Sequence, residues 1–316
     1  NAMAKLAANE SLESQSKSKT SANLTNAWRE HMQSRSFTTE PHHLHRLGIL
    51  AYFYCLLATP ALFLTRVLPQ LSPADSGWWA AVLATAFLVA ENFLNYRACI
   101  IGHHEHNVVH CFHCQRTSPA VLAWQDGGDR RQRCLACQTE SPPRSEHCRL
   151  CNLCVMRRHF HCYLLCCCIG HRTHGHFLAL CLYSTVGLAT SSLAFAIYAV
   201  DVGGGWSGLL LPAAALRFAA GSAPAALPAA VFSLYIQLTC LAIAAIYGFL
   251  QLQLLLRNQT PAEIAAMDRR YRLDSCYDNL RASLGPARYW PLLLLYPIRI
   301  EPDSDGCNWR LRSKRS

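Results

Sequence analysis

Between Cys134 and Cys168 the chain reads CLACQTESPPRSEHCRLCNLCVMRRHFHCYLLCCC. The pattern is Cys134-x2-Cys137, nine residues, His147-Cys148-x2-Cys151-x2-Cys154, four residues, His159-Phe160-His161-Cys162, five residues, Cys168. A Cys-x2-Cys spacing lets one tight turn present two thiolates about 2.3 Å from a zinc ion, and a structural zinc takes four Cys or His ligands. Eight soft ligands suffice for two tetrahedral sites, and this stretch holds enough for both. Reduced core cysteines would leave such density unexplained. A RING-type ubiquitin ligase domain also binds two zincs, but it closes on a second Cys-x2-Cys pair, which is missing after Cys162.

Working outward, the 316 residues would suffice for two soluble domains, yet the 52% hydrophobic content lies in a few long runs. A bilayer core takes about 20 apolar residues of helix. Leu47 to Leu68, Trp78 to Ile101, His176 to Val200 and Leu227 to Leu256 all qualify. Pro60, Glu91 and Asn95 are costly at membrane depth and are expected to face the bundle interior. The net charge of +10 is therefore read as membrane topology and not as nucleic-acid binding. Residues 1 to 47 are polar, Ser-rich and basic, without a cleavable signal peptide. The 17 cysteines and 15 histidines are accordingly expected to be reduced and metal-bound.

Lys and Arg concentrate before the first span, between the second and third, and after the fourth; Arg66 and Arg217 stand near the other side. The positive-inside rule places both termini and the middle loop in the cytosol. The sequons at Asn23 and Asn258 then face the cytosol and are expected to stay unglycosylated. The N-terminal tail is expected to be disordered, and residues 203 to 230, rich in Ala, Leu, Gly and Pro, to hold a short apolar helix at the outer leaflet. Tyr289 to Tyr296 is too short to span but suited to the membrane interface, with Arg310 to Arg315 meeting anionic headgroups.

The spacing, with Pro143-Arg144-Ser145 before His147-Cys148 and Cys168-Ile169-Gly170 at the end, resembles the Cys-rich domain of the DHHC protein S-acyltransferases. The likeness extends over the four spans. Gln259-Thr260-Pro261-Ala262-Glu263 resembles that family's Thr-Thr-x-Glu motif with the second Thr lost, and Tyr277-Asp278-Asn279-Leu280 its C-terminal Asn-containing segment. The layout is closest to the short branch numbered twenty-four; Tyr163 and Leu164 occupy the usual Pro-Trp positions.

The resemblance implies an all-α integral membrane protein of four transmembrane helices with a cytosolic two-zinc Cys-rich domain. The expected divisions are a tail at 1–47, spans one and two at 48–101, the zinc domain at 102–175, spans three and four at 176–256, and a cytosolic tail at 257–316. One structural zinc falls to Cys134, Cys137, His147 and Cys154, the other to Cys148, Cys151, His161 and Cys168. The family's co-substrate is acyl-CoA, typically palmitoyl-CoA. Its partners are cysteine-containing membrane-associated proteins and the lipid bilayer, in the endoplasmic reticulum or Golgi, with no nucleic acid.

In that family a Cys attacks acyl-CoA and then passes the acyl chain to a substrate cysteine. Cys162 stands at the nucleophile position, but the base is replaced by Phe160 and the Asp that orients it by His159. A general base contributes about 10² to 10⁴ in rate. A thiol near pKa 8.5 is already a few per cent ionised at neutral pH, so ionisation alone accounts for a loss of roughly 30-fold. Arg157 and Arg158 are expected to lower the Cys162 pKa, and His159 is the candidate displaced base. Cys166 and Cys167 are read as spectators, with extra acyl acceptance or stand-in ligation as the alternatives. The cluster His103, His104, His106, His110, Cys111, His113 and Cys114 is read as solvated loop residues, with a third metal as the alternative. Two functions follow: a slowed S-acyltransferase using Cys162, or a catalytically impaired scaffold that binds acyl-CoA or clients.

Overall fold

The computed structural model describes residues 42–71, 76–111, 116–117, 132–291, 302 and 304–312. Among the described residues four helices are long and apolar enough to cross a membrane: α1 (Leu44–Leu71), α2 (Ser76–Gly102), α3 (His174–Val202) and α5 (Ala226–Arg257), with the short α4 (Leu211–Ala219) between the last two. These suggest a membrane protein. The expected spans lie inside these helices, one to three residues short at each end, because polar residues at a helix end continue the backbone ladder without adding to an apolar run.

The first helix is irregular for an identifiable reason. Pro60 has no N–H to give, and the turn ahead of it widens, so that the Thr59 N–H bonds the Tyr54 carbonyl five residues back. A second wide turn covers Phe63–Val67. The helices are cross-linked by side-chain hydrogen bonds, which matter in a medium that offers no water. Tyr54 Oη and Ser233 Oγ join α1 to α5 at 2.7 Å, Ser184 Oγ donates to Asn92 Oδ1 at 2.6 Å, and Ser191 Oγ donates to Gln237 Oε1. Glu91 and Asn95 are buried as expected, with Asn95 Nδ2 donating to Glu91 Oε2 at 3.2 Å. At one end of the bundle Val67, Phe195, Tyr198, Leu227 and Val231 form an apolar core, against which residues of α4 and its flanks pack.

The loop between α2 and α3 departs from the all-α expectation. It is built of antiparallel hairpins: β1 (His110–Cys111) with β2 (Arg116–Thr117), β3 (Gln132–Cys134) with β4 (Thr139–Ser141), β5 (Glu146–Cys148) with β6 (Leu153–Val155), and β7 (Phe160–Cys162) with β8 (Cys167–Ile169). Strands this short bury too little to stand alone. What selects them is the ligand spacing: the Cys-x2-Cys turns Cys134–Cys137 and Cys148–Cys151 are each followed by a residue in the left-handed region, Gln138 at φ 53° and Asn152 at φ 53°, which turns the chain back on itself.

After α5, Asn258 caps the helix at φ 48°, and Thr260 opens α6 (Pro261–Ala265) with a reciprocal capping box to Glu263. Ser275 caps α7 (Cys276–Leu284). The N-terminal tail with Asn23, the residues His113 and Cys114, the apolar stretch from Leu292 to Tyr296 and Arg315 lie outside the described residues.

Candidate functional site

The eight expected ligands come together in two groups, Cys134, Cys137, His147 and Cys154, and Cys148, Cys151, His161 and Cys168, each with its ligand atoms within 4.8 Å of one another. Their geometry suits a metal. A tetrahedron with bonds of about 2.3 Å has edges of about 3.8 Å. Here Cys154 Sγ lies 3.6 Å from Cys137 Sγ, Cys151 Sγ 3.7 Å from Cys168 Sγ, and His161 Nδ1 3.2 Å from Cys151 Sγ. The Cys137 and Cys151 backbone N–H groups point at the Cys134 and Cys148 sulfurs, at 3.4 and 3.5 Å. That arrangement favours thiolates, the form a metal needs.

Strand alternation then divides β7 and β8 into two faces. His161 opposes Cys168 on the metal face; Phe160 opposes Ile169, and Cys162 opposes Cys167, on the other. This second face packs into an apolar cluster with Cys99, Phe177, Leu180 and Cys181 of the membrane helices. Cys162 and Phe160 line a cavity of about 770 Å³ that runs between the helices past Leu56, Leu88, Cys181 and Ile243, within the range of small-ligand sites, about 300–1,000 Å³. Phe160 fills the position beside the thiol with a ring 5.3 Å from that of Phe177 and 5.2 Å from that of Tyr247.

Cys162 is 6% exposed, and burial pushes its pKa up to about 11, against smaller help from the backbone N–H groups of Leu165 and Leu164. The expected contribution of Arg157 and Arg158 is absent. Arg157 is fully buried away from the thiol and donates to Asn258 Oδ1 at 2.9 Å, while Arg158 pairs with Glu146. His159 precedes the strand and does not line the cavity; its ring lies 4.1 Å from that of His174, and neither nitrogen is hydrogen-bonded. Burial, and the charges of neighbouring groups behind it, hold its pKa well below the usual histidine range. It is not brought to Cys162. Cys166 and Cys167 join neither metal group, as expected of spectators to the metals. His103 is buried, not solvated; burial lowers its pKa to about 4. Among the described residues no third metal cluster forms.

Several contacts were not legible beforehand. His161 Nε2, the nitrogen turned away from the sulfurs, meets His45 Nε2 at 3.2 Å, so the start of α1 orients a ligand of the second metal group. Arg144 is wholly buried and makes a bidentate pair with Glu263, at 2.6 and 2.9 Å, as well as bonding the Asn258 carbonyl. Asn258 Nδ2 donates to the Tyr271 carbonyl, so this sequon is occupied structurally. Residues 304–312 return to the hairpins: Trp309 lies 4.3 Å under the Arg144 guanidinium, His171 Nε2 meets the Ser304 carbonyl at 2.9 Å, and Cys307 packs on Met156. All but the Asn258–Tyr271 bond join residues more than 100 positions apart, and no local periodicity signals them. Asn279 holds the last helix to the bundle, accepting from the Leu273 N–H and donating to the Leu256 carbonyl.

No curated protein matches the chain. Residues 128–268, which contain all eight metal donors, Cys162, α3, α5 and the Thr260–Glu263 cap, match the family model for DHHC palmitoyltransferase, and this match supports the DHHC family as the one to which the chain is related.

Proposed function

We propose that this protein is a slowed S-acyltransferase of the DHHC type, in which Cys162 takes a fatty acyl group from acyl-CoA and passes it to cysteines of membrane-associated proteins. The observation that carries the reading is the meeting of Cys162 with an apolar cavity long enough to run between the helices. In the first step the thiolate of Cys162 attacks the acyl carbonyl, a new carbon–sulfur bond forms, and CoA departs as its own thiolate, which needs little protonation. In the second step an incoming thiol displaces Cys162. The chain's residues hold the acyl chain and the thiol; the two Cys/His groups would hold structural zincs, which would keep the β7–β8 hairpin in register.

The impaired-scaffold reading is favoured by a separate observation: among the described residues no basic side chain reaches Cys162, its pKa is pushed up to about 11, and Phe160 occupies the flank. Transfer suffers more than loading, because the incoming thiol has nothing to deprotonate it. We place the zinc domain and both termini on the cytosolic side of an endoplasmic reticulum or Golgi membrane, from the positive-inside rule.

The test is autoacylation of purified protein by a clickable palmitoyl-CoA, beside Cys162→Ala and the pair Phe160→His with His159→Asp. Label that disappears in Cys162→Ala supports the acyl-enzyme. An unlabelled parent with a labelled double variant reduces the protein to a scaffold that has lost its base.

A further inference from the structure

The thiol face of the β7–β8 hairpin holds a second sulfur that the acyl-transfer reading leaves unused. Cys167 is the direct cross-strand partner of Cys162. Residues directly opposed on antiparallel strands hold their Cβ atoms about 4.5–5.5 Å apart, and a disulfide needs about 3.5–4.5 Å with Cα atoms 4.4–6.8 Å apart, so closing the bond takes a backbone adjustment of about 1 Å together with rotation of the two side chains. Both thiols are buried, Cys162 at 6% and Cys167 at 1% exposed, in one apolar cluster. The ligands next to them, His161 and Cys168, point to the opposite face. The metal group therefore clamps the two strands together without using either thiol, and the pair is held in place before any reaction. Cys166, the third thiol of the turn, sits in a left-handed conformation at φ 50° with its sulfur on the Tyr163 carbonyl, and it is opposed by no strand residue.

We propose that Cys162 and Cys167 form a reversible disulfide, Cys167 serving as the resolving thiol for the nucleophile. The apolar cavity that reaches Cys162 and not Cys167 admits an alkyl hydroperoxide as oxidant. The minor thiolate fraction of Cys162 takes the peroxide oxygen, the proton it released returns, and a sulfenic acid and an alcohol result; the Cys167 sulfur then attacks the sulfenic sulfur, forming the S–S bond and releasing water. Two thiols and one hydroperoxide give one disulfide, one alcohol and one water. A thiol reductant reverses the modification. As a control on acylation this rests on the reading of Cys162 as acyl acceptor, but the disulfide itself forms whether or not the protein is acylated.

The full-length protein in detergent micelles, zinc-loaded and reduced, is treated with an alkyl hydroperoxide and digested, and the peptide spanning His159 to Arg172 is weighed. The expected result is loss of two hydrogens' mass, restored by reductant, with zinc retained. The loss persists in Cys166→Ser and disappears in Cys167→Asn, where Cys162 advances instead to sulfinic acid. In parallel, oxidation abolishes clickable-palmitate labelling in the parent and reductant recovers it. A disulfide that survives in Cys167→Asn, zinc release accompanying oxidation, or direct passage of the parent to sulfinic acid overturns the proposal. A disulfide in a parent that never takes acyl label leaves it standing and sinks only the acyl-transfer reading.

Discussion

The two faces of the β7–β8 hairpin differ in what they retain. One carries His161 and Cys168, completing a four-donor group whose distances suit zinc. The other carries Phe160, Cys162, Cys167 and Ile169, an apolar surface with two thiols set in it and, among the described residues, no base beside them. The two can differ because alternation along a strand sends neighbouring side chains to opposite sides, so that an aromatic ring at Phe160 leaves the metal donor His161, one residue on, undisturbed.

The comparison is broken most forcefully by removing the metals. Structural zinc contributes about 10–16 kcal/mol of apparent binding free energy per site. A strong chelator should therefore unfold 132–175, read as a burst of proteolysis there, and expose Cys162 to maleimide; a Cys162 that stays protected would mean the thiol face stands without the metal face. Next in size is the chemistry. Phe160→His with His159→Asp should raise the rate of thioester formation by about 10²–10⁴ while the zinc content, measured by elemental analysis, stays constant. A fall in zinc would show that the faces are coupled.

The metal face also leans on the end of α5 through Arg144 and Glu263. Removing one partner of a buried ion pair costs about 3–5 kcal/mol. Arg144→Ala is thus expected to lower the thermal midpoint markedly, and Arg144→Ala with Glu263→Gln less than the sum of the singles; additive losses would mean the pair is not coupled. The smallest effect concerns pH. Burial, and then the charge of Arg157, keep His171 neutral with its pKa well below the usual histidine value. The unfolded chain takes up a proton below about pH 6.5 and the folded one does not, so stability is intact above that pH and falls as pH drops, by at most about 1.4 kcal/mol per unit. His171→Gln should flatten this slope between pH 6.5 and 5.5 in chemical denaturation; an unchanged slope would remove His171 from the contact with the returning tail.

Much of this was legible in the chain because it rests on short-range rules. Apolar run length marked the spans, and Cys-x2-Cys spacing marked the knuckles, where a metal demands two donors from one turn. Thr260 and Glu263 were noticed as a motif, yet their burial against Arg144 was not, since a capping box looks the same whether its carboxylate meets water or a guanidinium 119 residues away. The expected help from Arg157 and Arg158 failed for a related reason: adjacency in sequence says little about direction, and both guanidinium groups turn away from Cys162.

What the amino-acid sequence alone determined is therefore the inventory: four long apolar runs, a ligand array rich enough for two metals, and a cysteine, Cys162, preceded by His159, Phe160 and His161. Tertiary structure decided the environments. Whether a thiol is ionised, whether a histidine can reach it, and which cysteine stands across from it depend on burial and on contacts between segments far apart in the chain. Cys162 sits high in pKa because the long apolar helices wall it in, His159 packs its ring against His174, and Cys167 faces Cys162 because the β7–β8 hairpin brings it there.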